Sequence, residues 1–390
     1  MKIACIGNMN NNLFTLVRYL RDFGYDAHLF LDMEFEHFLP YNDSVDEIDT
    51  SYIHQLDWAK IGHWKITKEK MLKDLVGFTY FIGTDRAPAY LWKAGIKMNF
   101  FIPHGGDFLF LPFYKFKNLI PKRYEIGVKY QSIFQKRAIQ NCHNIMYDLS
   151  NDDYERHLSK LKIKGVRHKT AIPMLYHKQY TESYFTNHPD SSEIRELRSR
   201  YDFIVFHHSR HAWVHPASMH NKNNHWLING FAKFTKENPE VKSLLIMFEY
   251  GPDFNASKKL CIELGIQDNV LWKSVTSRKN IMAWASLADF GVGEFGWSWL
   301  SYGVAFEILT LKKTFIGRRD DSLYLSEYDE LYPMVSVENE HDIKKAFEDY
   351  LQNKTWFIQM GVDAYQWLLK YAIDMPLNII TKDIDSHVLN

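Results

Sequence analysis

The sequence predicts an α/β protein built from two parallel-sheet domains, and three observations carry that reading. Short apolar segments alternate with amphipathic helical segments in both halves of the chain, the pattern of strands joined by right-handed crossovers. At 390 residues the chain exceeds the size at which one hydrophobic core usually stops growing, so two domains of about 150 to 200 residues are expected. Between the halves, residues 176 to 200 lose clear periodicity and turn rich in His, Ser, Thr and Asn, as a linker does.

In the first half, residues 2 to 7 read as a short apolar strand, 11 to 24 as a helix with Leu13, Leu16, Val17 and Leu20 on one face, and 26 to 31 as a second strand. Further strands are expected at 78 to 84, 97 to 103, 144 to 150 and 169 to 175, with a helix starting near Asn151, whose side chain suits an N-cap. Residues 32 to 76 give no clear pattern. The second half restarts with a strand at 202 to 209, a helix at 225 to 238 and a strand at 242 to 251. From Gly251 to Gly317 three strand and helix units follow, then a strand at 332 to 338 and helices at 341 to 353 and 355 to 372. The last helix carries Trp356, Phe357, Trp367 and Leu368, an apolar load that must pack on something, the first domain being one option.

Composition limits function. Lys plus Arg and Asp plus Glu stand at 47 each, so no global field draws the chain to nucleic acid, and none is expected as a partner. Aromatic residues make up 16% and apolar residues 46% of the chain, ample for two packed cores. Cys5, Cys142 and Cys261 lie without metal or disulfide spacing and read as reduced structural thiols of a cytoplasmic protein. The start MKIACIG is a strand rather than a signal peptide, and no apolar run approaches the roughly 18 to 20 residues a bilayer needs. The sequons at Asn42, Asn255 and Asn353 are then idle.

The candidate chemistry concentrates at predicted strand ends. Glu294 and Glu307 flank a Gly- and Trp-rich turn, where Gly296 lets backbone approach a phosphate and a helix starting near Trp297 or Ser298 offers unpaired N–H groups. Carboxylates accept from hydroxyls and repel phosphates, so a ligand carrying both groups, a nucleotide sugar, suits the whole turn. After the strand at 202 to 209, Arg210 and Lys222 can neutralise a diphosphate, Arg through its planar fork and Lys as a point charge. The dense histidines there, from His207 to His225, raise the question of a metal, but no carboxylate or cysteine sits at ligand spacing, so no metal is expected. Lys273 ends a strand on the same sheet edge and is a further candidate for binding the nucleotide sugar. Gly291, Gly293 and Gly296 also fit G-x-G-x-x-G, with Asp320 beyond them. That dinucleotide reading is set aside, because the motif is not on the domain's first strand and Glu294 would face the pyrophosphate.

In the first half, His104, Gly105, Gly106 and Asp107 close an apolar strand as a ligand-facing loop, with Gly7 and Asn8 on the same edge; ordinary capped turns are the alternative for both. Residues 111 to 138 hold seven Lys or Arg and one Glu among aromatics. That mixture suits peripheral contact with an anionic membrane or a lipid-phosphate acceptor, against the alternative of a solvated helix pair.

Five phrases, Lys222-Asn-Asn-His-Trp-Leu-Ile-Asn-Gly-Phe-Ala-Lys, Gly251-Pro-Asp, Leu264-Gly-Ile-Gln-Asp-Asn-Val-Leu-Trp, Trp284-Ala-Ser-Leu-Ala-Asp289 and Phe306-Glu307-Ile-Leu, together resemble the donor domain of GT-B glycosyltransferases, in particular retaining family 4. The resemblance covers residues 200 to 340 well and the first domain loosely. It implies two Rossmann-like domains whose parallel sheets face across a cleft: an acceptor domain at 1 to 180, a donor domain at 200 to 354, and a terminal helix and tail at 355 to 390. It implies a hexosyltransferase-type enzyme moving sugar from a nucleotide-diphosphate sugar to a glycan or lipid-linked hydroxyl, with no cofactor. By the same resemblance Glu307 would bind the donor ribose, Arg210 and Lys222 its diphosphate and Glu294 the transferred sugar, with His104 near the reacting carbon. The chain departs from the family in spacing, twelve residues separating the glutamates and eleven separating Arg210 from Lys222, both longer than usual. An epimerase of the same architecture and a non-catalytic binding protein are the alternatives.

Overall fold

Unbroken apolar runs become buried strands because a parallel sheet covered on both faces has no solvent side for polar residues. The computed structural model describes residues 1–31, 39–60, 62, 64–115, 122–147, 152–216 and 220–389. The chain divides into two units, one of Met1–Tyr176 with Lys370–Asn390 and one of His177–Leu369.

The first unit holds β1 (Lys2–Ile6), β2 (Asp26–Leu31), β3 (Ile53–Gln55), β4 (Phe78–Gly83), β5 (Phe100–Phe101), β6 (Asn144–Tyr147) and β7 (Val166–Lys169). They form one sheet in the order β3-β2-β1-β4-β5-β6-β7. The second holds β8 (Phe203–His207), β9 (Ser243–Phe248), β10 (Val270–Lys273), β11 (Phe290–Val292), β12 (Thr314–Gly317) and β13 (Val335–Ser336), ordered β10-β9-β8-β11-β12-β13. Among the described residues every pairing is parallel. Both sheets therefore have the doubly wound order, whose reversal falls between β1 and β4 in one and between β8 and β11 in the other.

Three elements differ from the sequence reading. The strand expected at 169 to 175 is β7, three residues earlier; Val166–Lys169 is a half-exposed edge strand with no apolar signal. The stretch after it, with Thr170, Ala171, Ile172 and Leu175 buried, packs without extending the ladder beyond Thr170, whose N–H reaches Tyr147 O. The segment read as a linker begins at the boundary between the units and forms helices Glu182–Asn187 and Ser191–Arg200. The strand expected at 97 to 103 is shorter, Phe100–Phe101, with backbone bonds from Asn99 N to Phe81 O and from Ile102 N to Gly83 O flanking it. The proposed N-cap Asn151 lies outside the described residues, and the helix there is Asp152–Leu161.

Asp289 fixes the entry to the second sheet. Its Oδ2 accepts from Ile204 N at 2.8 Å and from Arg198 Nη1 at 2.8 Å, while Oδ1 accepts from Tyr350 Oη at 2.7 Å. That carboxylate joins three elements at the N-terminal end of β11, beneath an aromatic core of Phe203, Phe234, Phe290, Phe347 and Phe357. In the first unit the terminal helix Met375–Leu389 is tied to the sheet by Asp383, which accepts from Tyr80 Oη at 2.5 Å and Asn144 Nδ2 at 3.1 Å. Asp383→Ala should cost about 2 to 3 kcal/mol. Amide exchange across residues 375 to 389 should accelerate in that variant, and unchanged protection there would show that apolar packing alone holds the helix.

Candidate functional site

At the reversal in the second sheet, His207 at the end of β8 lies in register with Val292 at the end of β11. The buried His207 ring joins them: Nδ1–H donates to Val292 O at 3.1 Å, and Nε2 accepts from Asn224 Nδ2 at 2.9 Å. Burial pushes its pKa well below the ordinary histidine value, so it serves as a neutral structural bridge.

The next residue faces the other way. His208 Nε2 lies 2.6 Å from Glu307 Oε2, and Arg278 Nε lies 2.8 Å from Glu307 Oε1, so both carboxylate oxygens are held. Burial works to raise the Glu307 pKa, but the hydrogen bond from His208 and the charges of His208 and Arg278 outweigh it and hold the carboxyl below its usual range. Glu307 sits on the helix Gly303–Thr310, whose first residue would carry a Cβ 3.9 Å from Glu307 Oε1. The carboxylate thus lies close to a helix N-terminus.

Lys222 and Glu294 form a second ion pair, both largely buried. Burial first, and then the neighbouring Arg210 guanidinium, pull the Lys222 pKa down to about 8. Their loops are stitched together: Phe295 N–H donates to Lys222 O at 3.1 Å, and Arg318 N–H donates to Glu294 O at 3.3 Å. Gly296 permits the approach, since a Cβ there would lie 1.7 Å from Asn221 O. Among the described residues, Arg210 Nε, His208 Nδ1 and the Ser209 hydroxyl are buried without a hydrogen-bond partner. Unsatisfied buried polar atoms gathered at one strand end are unusual, and they single this place out as the candidate for a polar ligand.

The helix expected to begin at Trp297 or Ser298 begins instead at Gly303. Carbonyls that would accept helical bonds are taken by tyrosines from elsewhere, Ser298 O by Tyr324 Oη at 2.9 Å and Leu300 O by Tyr332 Oη at 3.0 Å. The Ser298 hydroxyl accepts from Asp320 N at 2.8 Å, and the Trp297 side chain is exposed. Lys273 is drawn elsewhere, with its ammonium 3.5 Å from Glu193 and 3.6 Å above the Trp284 ring. The apparent dinucleotide motif has packing reasons: a Cβ on Gly291 would meet Ile308 at 2.4 Å, and one on Gly293 would meet Tyr302 Oη at 2.0 Å.

On the first unit the same sheet edge carries His104. Its Nε2 stands 3.8 Å from Asp85 Oδ1 and 3.7 Å from Asp107 Oδ2, and Arg86 Nη1 binds Asp85 Oδ2 at 3.0 Å. Burial pushes the Asp85 carboxyl above its usual range, with Arg86 and His104 pulling the other way. Asp107 is committed to the backbone: it accepts from His104 N and Gly105 N at 3.1 Å each and from Asp85 N at 3.0 Å. It therefore shapes the loop, whose Gly105 adopts φ of 130° and leads into the short helix Gly106–Leu109. Asn8 likewise turns inward, its Oδ1 accepting from Phe14 N at 2.9 Å and its Nδ2 donating to Asn11 at 2.8 Å. Gly7, at φ of 92°, would place a Cβ 2.8 Å from Thr84.

The sequence reading missed His208, Arg278, Asp85 and Arg86. Position was their signal, since each follows the C-terminal end of a strand on the edge where doubly wound sheets hold ligands.

Comparison with solved structures shows the fold. HepE from Anabaena in complex with UDP superposes with a TM-score of 0.62 at 11% identity, covering 99% of this chain and 100% of that one. Sucrose-phosphate synthase from Thermosynechococcus elongatus gives 0.60 at 11% identity, with 100% and 99% covered. A putative UDP-N-acetylglucosamine 2-epimerase from Listeria monocytogenes gives 0.59 at 11% identity, with 100% and 96% covered. No family model and no curated protein matches the sequence. The chain shares the GT-B architecture of two Rossmann-like domains with these structures.

Gly296→Ala should separate the Glu294 loop from Asn221 and Lys222 while leaving both cores intact. A thermal melt close to the parent's, with nucleotide binding reduced on the order of tenfold or more, is the expected result; unchanged binding would show that this close approach has no part in the site.

Proposed function

We propose that the chain is a glycosyltransferase of hexosyltransferase type, moving a sugar from a nucleotide-diphosphate sugar to a hydroxyl of a glycan or lipid-linked glycan on the cytoplasmic side. The observation that carries this reading is the cluster at the β8 and β11 ends: two buried carboxylates, each already paired with a cation, beside unsatisfied polar atoms on His208, Ser209 and Arg210. Fixed charges of both signs in one desolvated place suit a ligand with both phosphates and hydroxyls. The complexes of Anabaena HepE with UDP and with UDP-glucose lend support.

In this reading Glu307, oriented by His208 and Arg278, accepts from the donor ribose, and Glu294 accepts from hydroxyls of the sugar. Arg210 and Lys222 take the diphosphate. Cleavage at the anomeric carbon leaves negative charge on the diphosphate, and these two cations stabilise it as it develops, which makes the reaction independent of a metal. The acceptor hydroxyl attacks from the face the diphosphate leaves, giving retention, and a diphosphate oxygen takes its proton. The first unit supplies the acceptor side through Gly7, Asn8, His104, Gly105 and Gly106, with Asp107 holding the loop.

One observation favours a second reading, a nucleotide-sugar epimerase. His104 between Asp85 and Asp107 supplies the acid and base groups such a reaction needs. Incubating a UDP-sugar alone separates the two, since epimerised sugar without acceptor would displace the transferase reading.

Calorimetric titration with UDP-, GDP- and dTDP-sugars should show binding to at least one, and binding to none would remove both readings. Affinity should weaken as pH rises through about 8, because Lys222, titrating near that value, loses the charge that meets the diphosphate. The loss should be on the order of tenfold to a hundredfold. Lys222→Arg, charged throughout, should flatten the profile, and an unchanged slope would exclude Lys222 as its source.

A further inference from the structure

The helix Lys122–Asn141 has two unlike faces. Its inner face is fixed by buried glutamines: Gln131 Nε2 donates to Lys60 O at 2.6 Å, and Gln135 Nε2 donates to Asp85 O at 2.7 Å and Asp107 O at 3.1 Å. Ile139 completes that side within the core of the first unit. The outer face presents Ile126 at 50%, Tyr130 at 46% and Ile133 at 41% exposure, followed by exposed Arg137. The spacing 126, 130, 133, 137 places these four on one stripe. Trp64 widens it, its ring stacked on Tyr130 at 4.9 Å with Lys93 Nζ 4.0 Å over the indole, and Phe110 nearby in the chain is 63% exposed.

Charge selects the occupant. Lys122 and Arg137 are exposed and Lys129 and Lys136 half-buried, whereas the helix's one acidic residue, Glu125, is 1% exposed and accepts from Tyr114 Oη at 3.0 Å. The outward face is therefore wholly cationic around an aliphatic and aromatic stripe, although the chain as a whole is neutral. Lys and Arg are drawn to anionic headgroups while Ile, Tyr and Trp enter the interfacial layer. Nucleic acid would be held by stacking surfaces and has no use for isoleucines at the centre of the stripe. Among the described residues no helix is long and apolar enough to cross a membrane.

We propose that this face of Lys122–Asn141 is a docking surface for an anionic lipid bilayer. The helix lies on the bilayer, and through Gln135 its opposite face holds the Asp85 and Asp107 loops, about one helix diameter, roughly 10 Å, away. A lipid-linked hydroxyl would then meet the His104 loop close to the membrane it came from. Of the expected segment 111 to 138, residues 116–121 lie outside the described residues and are not needed for this surface.

The full chain is incubated at low salt with vesicles of equal parts phosphatidylcholine and phosphatidylglycerol, with vesicles of phosphatidylcholine alone, and with a single-stranded oligonucleotide. Cosedimentation with the mixed vesicles only, reversed by salt, is expected. The double variants Ile126→Asp/Ile133→Asp and Lys122→Glu/Arg137→Glu should each partition on the order of tenfold less, with melting temperature and UDP binding unchanged. A chain that stays in the supernatant with mixed vesicles at low salt overturns the proposal. So does partitioning of folded double variants equal to the parent's, or retention of the oligonucleotide without vesicle binding. Because UDP titration is scored separately, failure here leaves the donor reading standing, and failure there leaves this surface standing.

Discussion

The reversal of strand order between β8 and β11 is the constraint on which the site depends. Crossovers on either side of that point run to opposite faces of the sheet, so no connection covers the two C-terminal strand ends. His207 and Val292, in register there, are held by a side-chain bond as well as by the ladder. Whatever follows each strand must then meet: His208, Ser209 and Arg210 from one side, Gly293 and Glu294 from the other. The first unit repeats the geometry between β1 and β4, which is why Gly7 comes against Thr84.

Carboxylates in the two units differ in the kind of partner they hold. Asp107 and Asp289 spend their oxygens chiefly on backbone N–H groups and on donors that join elements, contacts that no ligand replaces. Glu307 and Glu294 pair with side chains, whose heads can rotate towards a ligand at modest cost. A buried pair stabilises little in net terms, because desolvation offsets most of its attraction, yet losing one partner leaves the other charge stranded. Arg278 and His208 therefore hold the Glu307 carboxyl below its usual range, and Lys222 is the partner of Glu294. Any hydroxyl or phosphate that enters exchanges one set of charge-assisted bonds for another.

Much of the fold was legible in the sequence. Strands β1, β4, β8 and β9 are buried along most of their length and so read as apolar runs, and β2 ends in one at 29 to 31. Edge strand β7, Val-Arg-His-Lys, carries no such mark and was misplaced. The helix start at Gly303 was hidden because Tyr324 and Tyr332, more than twenty residues later in the chain, take the carbonyls that local propensity would have used. The burial of Glu307 was legible from its apolar neighbours Val304, Ala305, Phe306 and Ile308. Its partners were not, since His208 and Arg278 lie 99 and 29 residues away in sequence and nothing local says which carboxylate they will choose. Pairing across that distance is a property of the sheet order.

The distance in sequence between the paired residues of the site is absorbed at the base of each loop. Lys222 N–H donates to Ala212 O at 2.6 Å, and Ala212 N–H donates to Asn224 Oδ1 at 3.0 Å. The segment 213 to 221, of which 217–219 lie outside the described residues, is thus a closed excursion pinched at its root. Trp213 N and Val214 N add bonds to Asp253 Oδ2 at 2.6 and 2.9 Å, and Gly251, at φ of 111°, lets that clamp press on Arg210 and His211. Arg210 and Lys222 are consequently neighbours in space, close enough for one cation to depress the other's pKa, whatever number of residues the excursion holds. The turn after Glu294 follows the same rule: its far part, 298 to 300, is held by Asp320, Tyr324 and Tyr332, while Glu294 itself is fixed at the root by Arg318 N and Lys222. Extra residues added beyond a pinched root change what lies over a site without moving the groups that form it.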